Sequence, residues 1–373
     1  MDGLCEPASG VQGPPWILCQ EREAAEGRLT LILGTPAMNL DRYGGSPFFE
    51  PSEAPKLWSD FCRLLPAAAR IRGSSQRRHH VQVLKGHTKR VNTLAFSPDS
   101  RLLVSGATDY TVRLWDTLTG DGRVLVPVHQ ELFADPEHVA FTADGQCVLI
   151  RSIQNGVQAW AVKDGLLVAT LIAGSSVAYH GGLAVSHRAG LVAASEWSLD
   201  PSTKVVRIWD TTTWEETVLY RPTDNYSFSG LAFDPTGTRL ATRVGVFDVR
   251  TGQRLTTATF GGDTLKWSPS ASLIVGSGYG NQLEVYEADA GKRVKTIALN
   301  RKHVQDFAFS VSGDQLAVVS NEETVRVWNT RTWEEGPTLA WKIGKLKSIA
   351  FSPDGTRAAC GSERGRILVW DLS

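Results

Sequence analysis

From residue 86 onward the chain falls into short stretches in which apolar and polar side chains alternate. Val91–Phe96 (VNTLAF) is followed by 102–106 (LLVSG) and 111–115 (TVRLW). Turn signals part the runs, first Ser97-Pro98-Asp99-Ser100 and then Thr108-Asp109-Tyr110. Alternation with a period of two buries one face of a strand, and Pro, Asp and Ser between runs favour tight turns. The pattern predicts a three-strand antiparallel meander. One such unit cannot cover both of its faces, so it needs copies stacked on either side.

The copies follow. The aromatic residue closing the third run recurs as Trp115, Trp160, Trp209, Phe247, Tyr286, Trp328 and Trp370, at steps of 45, 49, 38, 39, 42 and 42 residues. A second anchor, the apolar residue before the first turn, recurs as Phe96, Phe141, Val185, Phe233, Trp267, Phe309 and Phe351. The two anchors lie 19 residues apart in repeats 1, 2, 5, 6 and 7, five more in repeat 3 and five fewer in repeat 4. Six further runs (124–126, 166–171, 217–220, 255–259, 294–298 and 338–340) each supply a fourth, outer strand to the preceding unit, where Pro337 is tolerated at an edge. The seventh unit has no such run after it, whereas 81–84 (VQVL) stands ahead of the first with no unit of its own. Setting that run beside the seventh unit closes a ring and removes an exposed inner edge.

The stretches GHTKRVNTLAFSPDS, SGATDYTVRLWD and KSIAFSPDGTRAACGSERGRILVWD resemble the Trp-Asp (WD) repeat β-propeller family, and the resemblance covers roughly residues 80–373. Repeats ending VVRIWD and ETVRVWN fit well, while those ending AWAV, VFDV and VYEA are degenerate in a way similar to bacterial members. The resemblance implies an all-β, seven-bladed propeller over residues 79–373, each blade a four-stranded antiparallel sheet. Residues 1–78 do not match and are heavily punctuated by Pro and Gly, so they are expected to be a partly disordered extension. Within them 28–33 has strand character. The run Leu57, Trp58, Phe61, Leu64 and Leu65 has helical spacing that Pro66 would end.

Composition narrows the function. The formal net charge is zero over 373 residues, which argues against a dominant electrostatic grip on nucleic acid or an anionic membrane. The basic segment 70–80 (RIRGSSQRRHH) reads as a solvated linker, with a nucleic-acid arm as the alternative. Five scattered cysteines include no CxxC pair, and the expectation is reduced thiols in the cytoplasm. No apolar run approaches the roughly 20 residues of a spanning helix. Phosphate loops, nucleophile elbows and metal-ligand spacings are absent, so no cofactor, metal or catalytic residue is expected.

The family resemblance implies a buried structural tetrad in repeat 1, made of His87, Ser105, Asp109 and Trp115. Repeats 6 and 7 lack it, with Asn300 and Lys342 at the His position and Glu322 and Arg364 at the Asp position. It also implies that a protein or peptide partner docks on one face. There the loops entering each innermost strand carry Arg90, Asp135, Tyr179, His303 and Lys345, and the turns between second and third strands carry Thr108, Tyr279, Asn321 and Glu363. The long turn of repeat 3, around 198–202, sits one repeat away from the short turn of repeat 4 at 242–245, and a partner contact is expected there. A non-catalytic interaction scaffold leads. An enzyme using channel residues such as His138 and Asp306 is the rival.

Overall fold

The computed structural model describes residues 81–372, apart from 127–134, 153, 174–180, 197–204, 222–229, 278–280 and 300–302, together with the strands Trp16–Gln20 and Thr30–Leu33. Blade 1 is made of Val91–Phe96, Leu102–Ala107, Val112–Asp116 and Gly122–Val126, paired in that order and antiparallel throughout. Six more sheets follow the same order from inside to outside, with innermost strands Pro136–Phe141, Leu183–Ser186, Leu231–Phe233, Leu265–Trp267, Val304–Phe309 and Leu346–Phe351. The architecture is an all-β propeller of seven four-stranded blades.

Each hydrophobic cluster spans two neighbouring blades, and seven clusters fill the seven interfaces. Between blades 1 and 2, for example, Val104, Val112 and Leu114 meet Val139, Phe141 and Ile150. The strand alternation is the cause: a blade has two faces, and each must be covered by a neighbour. Phe141, Phe247, Phe260 and Phe307 are fully buried in these interfaces. Each contributes about 1.5–3 kcal/mol by leaving water, so apolar burial dominates at every interface.

Val81–Lys85 is the fourth strand of blade 7. It pairs antiparallel with Arg366–Asp371, in register Val81↔Trp370 and Leu84↔Ile367. Leu84 then enters the core between blades 7 and 1, and Val81 the core between blades 6 and 7. The ring is therefore closed by chain segments from its two ends.

Blade 6 departs from the expectation. Its outer strand Glu335–Trp341 is not an edge, because Trp16–Gln20 pairs with it in parallel (Trp16↔Thr338, Cys19↔Trp341) and Thr30–Leu33 pairs beyond that. Pro337 falls at a register irregularity between Arg326 and Trp328, where it removes no ladder bond. Strand Thr30–Leu33 matches the run 28–33 read from the sequence, whereas Trp16–Gln20 went unnoticed. The run from Leu57 to Leu65 and the basic segment 70–80 lie outside the described residues.

Candidate functional site

In blade 1, four side chains from four segments (the entering loop, the second strand, the turn after it and the third strand) meet in a buried chain. Trp115 Nε1 donates to Ser105 Oγ at 2.8 Å, and Ser105 Oγ lies 2.7 Å from His87 Nε2. His87 Nδ1 stands 3.0 Å from Asp109 Oδ2. A carboxylate can only accept, so Nδ1 carries the proton, Nε2 accepts from the serine hydroxyl, and the imidazole is neutral. Burial pushes His87 below its ordinary value, although Asp109 works against the shift. Burial tends to raise Asp109, but hydrogen bonds from Thr111, the Thr88 N–H and His87 outweigh it and hold the carboxyl low. The serine hydroxyl is spent inside the chain and 0% exposed, so it offers no nucleophile to a substrate.

Other blades fill the same space with aromatic pairs. Trp341 packs on Trp370 in blade 7 with centroids 4.7 Å apart, and Tyr220 packs on Phe247 in blade 4 at 4.7 Å. Phe260 meets Tyr286 edge-on at 5.1 Å in blade 5. Tyr286, at the tryptophan position, builds its own network: it donates to Glu284 Oε2 (2.5 Å) and accepts from the Gly261 N–H (3.0 Å), while Arg293 donates to Glu284 Oε1 (2.7 Å). Burial and the bond to Glu284 push the Tyr286 hydroxyl up to about 12. The Glu284–Tyr286–Arg293 set was not foreseen, since it follows no family spacing.

The loop and turn positions come together blade by blade. The Thr108 N–H donates to the Arg90 carbonyl (2.8 Å), Asn321 N–H to His303 (3.3 Å), and Glu363 N–H to Lys345 (2.8 Å). Backbone bonding thus fixes an entering loop against a turn in blades 1, 6 and 7. Lys347 joins two of these blades: its Nζ donates to Asn321 Oδ1 (2.8 Å) and to Gln305 Oε1 (3.2 Å). Sequence reasoning missed Lys347 because it sits inside an innermost strand. The signal was available, since the same register position holds the polar residues Asn92, Glu137, Asp263 and Gln305. Asp135 is half-buried ahead of Pro136–Phe141. Tyr179, Tyr279 and the long turn 198–202 lie outside the described residues.

The short turn of blade 4 is a two-residue hairpin, Arg243-Val244, with Thr242 paired to Gly245. Val244 turns inward and is 3% exposed. Of the two channel candidates, Asp306 is committed as a strut between blades. Its Oδ1 takes Lys266 Nζ from blade 5 (2.8 Å) and its own Phe307 N–H (2.8 Å), and its Oδ2 takes the Ile349 N–H from blade 7 (3.0 Å). His138 stands opposite Arg151 in blade 2, far around the ring. Among the described residues no group of three or more His, Cys, Asp or Glu is placed to hold a metal ion, and no helix is long and apolar enough to cross a membrane.

Comparison with known proteins agrees with this geometry. The family model "WD domain, G-beta repeat" matches residues 78–116, 291–329 and 342–371, which hold most of blades 1, 6 and 7. Periodic tryptophan protein 2 of Arabidopsis thaliana is 36% identical over 89 residues, 24% of this chain and 10% of that protein. WD repeat-containing protein VIP3 of the same plant is 27% identical over 118 residues, covering 28% of this chain and 37% of its own length. An uncharacterized WD repeat-containing protein of Synechocystis sp. is 31% identical over 83 residues, 22% and 24% of the respective chains. The matched stretch thus spans well under half of each relative. With the repeat motif recognised in three blades and seven blades closed into a ring, the chain carries WD repeats in a seven-bladed β-propeller.

Proposed function

We propose that the chain is a non-catalytic scaffold that holds a peptide or protein partner on the face bearing its entering loops and second-to-third-strand turns. One observation carries this reading: in blades 1, 6 and 7 the loop and turn are locked together by a backbone hydrogen bond, with Arg90, His303, Lys345 and Asn321 exposed on top. A rigid platform with Arg, His and Asn at its surface loses little conformational freedom on binding. The committed partners of Asp306 and Ser105 speak for binding over catalysis. The notch at 243–244, beside the long turn of blade 3, would give the face a second, asymmetric contact. Residues 79–373 would be the working domain, with 1–78 an extension that reaches blade 6 through two strands. The free thiols of Cys147 and Cys360 favour a cytoplasmic setting.

The test is affinity capture from native lysate with the full chain, followed by reconstitution with the purified candidate. His303→Ala with Asn321→Ala alters the proposed face, while Arg331→Ala alters the opposite one, where Arg331 pairs with Asp314. A partner lost with the first variant and kept by the second is the expected result. A partner indifferent to the first and lost with the second moves binding to the other face. A small-molecule substrate turned over by the purified chain would replace the scaffold reading with an enzyme.

A further inference from the structure

Several arginines at the opposite end of the strands and along the blades are matched with carboxylates. Arg239 lies against Asp234 and Asp289, Arg331 against Asp314, Arg357 against Asp371, and Arg326 against Glu335. The rim of blades 7 and 1 is different. Arg90, Lys345 and Arg364 are exposed there, and among the described residues none of them, nor Lys347, has a carboxylate within ion-pair distance. The partners they do have are neutral: Arg90 Nε donates to Asn92 Oδ1 (2.8 Å), and Lys347 Nζ to Asn321 and Gln305 oxygens. Amide oxygens fix the position of a cation and leave its charge standing.

The backbone draws these groups together. The turn 362–366 of blade 7 lies on the loop entering blade 1, so closely that a Cβ on Gly365 would come within 2.4 Å of the His87 carbonyl and 2.9 Å of that of Lys89. Gly344, in the loop entering blade 7, gives the Arg364 side chain its path; a Cβ there would meet Arg364 Cγ at 2.9 Å. Lys347 feels the crowding: burial first, then the charges of Arg90 and Lys345, hold its amino group below the ordinary lysine value, with Glu363 opposing. The whole chain has no net charge, whereas four cations gather at this rim.

We infer that the rim formed by Arg90, Lys345, Lys347 and Arg364 is the docking site for an acidic peptide segment, one carrying clustered Asp and Glu carboxylates. This rests on the scaffold reading and names the chemistry of its partner. Carboxylates would supply the ion pairs that the rim lacks, and they can bond simultaneously to Arg90 and the lysines. A nucleic-acid backbone fits less well: its phosphates form a continuous negative line, and the chain as a whole carries no net positive charge to follow it.

Fluorescence anisotropy of the full chain tests this with three labelled probes: a Glu/Asp-rich peptide of a dozen residues, a Gly/Ser peptide of equal length, and a single-stranded DNA of similar charge. The acidic peptide is expected to bind saturably, to weaken as salt is raised, and to lose roughly tenfold or more in affinity on Arg90→Glu with Lys345→Glu. Both residues are exposed, so the fold should survive; circular dichroism checks it, and Arg90→Gln with Lys345→Gln gives a milder version. Arg331→Glu on the opposite face should change nothing. No saturable binding of the acidic peptide, binding indifferent to the rim substitutions, or tighter rim-dependent binding of the DNA would each overturn the inference. A lysate partner still held by the Glu variant would leave the scaffold reading standing while this one falls.

Discussion

Ser105→Ala is the sharpest probe of the blade 1 network. The substitution removes one oxygen and opens almost no space, yet that oxygen serves two buried groups. Trp115 Nε1–H, on a residue 2% exposed, loses its acceptor, and His87 Nε2, on a residue 6% exposed, loses its donor. Leaving a buried polar group without a partner costs about 1–3 kcal/mol, so two such groups put the loss at about 2–6 kcal/mol. At roughly 2 °C per kcal/mol for a domain of this size, the melting temperature should fall by about 4–12 °C in scanning calorimetry. Cys360 is the internal control, since it occupies the same register position in blade 7, is fully buried, and belongs to no such chain. Cys360→Ala should cost only about 1 kcal/mol, the transfer of a small apolar group. In a Trp115→Phe background, where no indole N–H remains to be orphaned, Ser105→Ala should cost about 1 kcal/mol less than in the wild type. Equal losses for Ser105→Ala and Cys360→Ala, or strict additivity with Trp115→Phe, would refute the claim that the network is energetically tight.

Three more outcomes follow from the same geometry. Because burial holds His87 low, the unfolded chain takes up a proton first, so stability measured by urea unfolding should decline as pH falls from about 6.5, and Asp109, also held low, should add a second loss through the carboxylate range. His87→Asn should flatten the first part of that decline, while His187, shifted the same way, preserves the rest. Gly262→Ala should cost at least about 2 kcal/mol by thermal unfolding, because the residue has φ +87° and a Cβ would collide with the Ser277 carbonyl oxygen. Finally, alkylation followed by peptide mass spectrometry should label Cys147 before Cys360, since burial pushes both thiols up but leaves Cys360 fully enclosed; equal labelling rates in the folded protein would contradict the packing.

The repeat pattern made most of the ring readable in advance because blade packing leaves a strict record. An anchor such as Phe96 must face a neighbouring sheet, and Trp115 must return to the same layer nineteen residues later. The closing strand was readable for the same reason, since Val81 and Leu84 needed a sheet. What escaped was pairing that no repeat encodes. Trp16–Gln20 is a short apolar run with no alternation to mark it as a strand, and nothing in it names Glu335–Trp341 as its neighbour. The substitutes for the tetrad escaped too, because Trp341 on Trp370, or Gly261 and Arg293 joining Glu284 and Tyr286, depends on groups from separate segments meeting in space. At the rim, aligning the repeats put Arg90, Thr108, Lys345 and Glu363 among the loop and turn positions of one face, but the backbone bonds that pair them and the want of an ion pair to Lys347 belong to the folded surface alone.

The strand Val81–Lys85 has a consequence for how the protein is made. Its partner, Arg366–Asp371, is synthesised about 285 residues later, so at ribosomal speeds of about 5–20 residues per second the strand waits roughly 15–60 s with its edge unsatisfied. Throughout that interval blade 1 presents Val91, Leu94 and Phe96 to the solvent, because the sheet that covers them does not yet exist. The nascent chain is therefore an open spiral with an adhesive end, and the same clasp that closes the finished ring defines the period in which it most needs a chaperone.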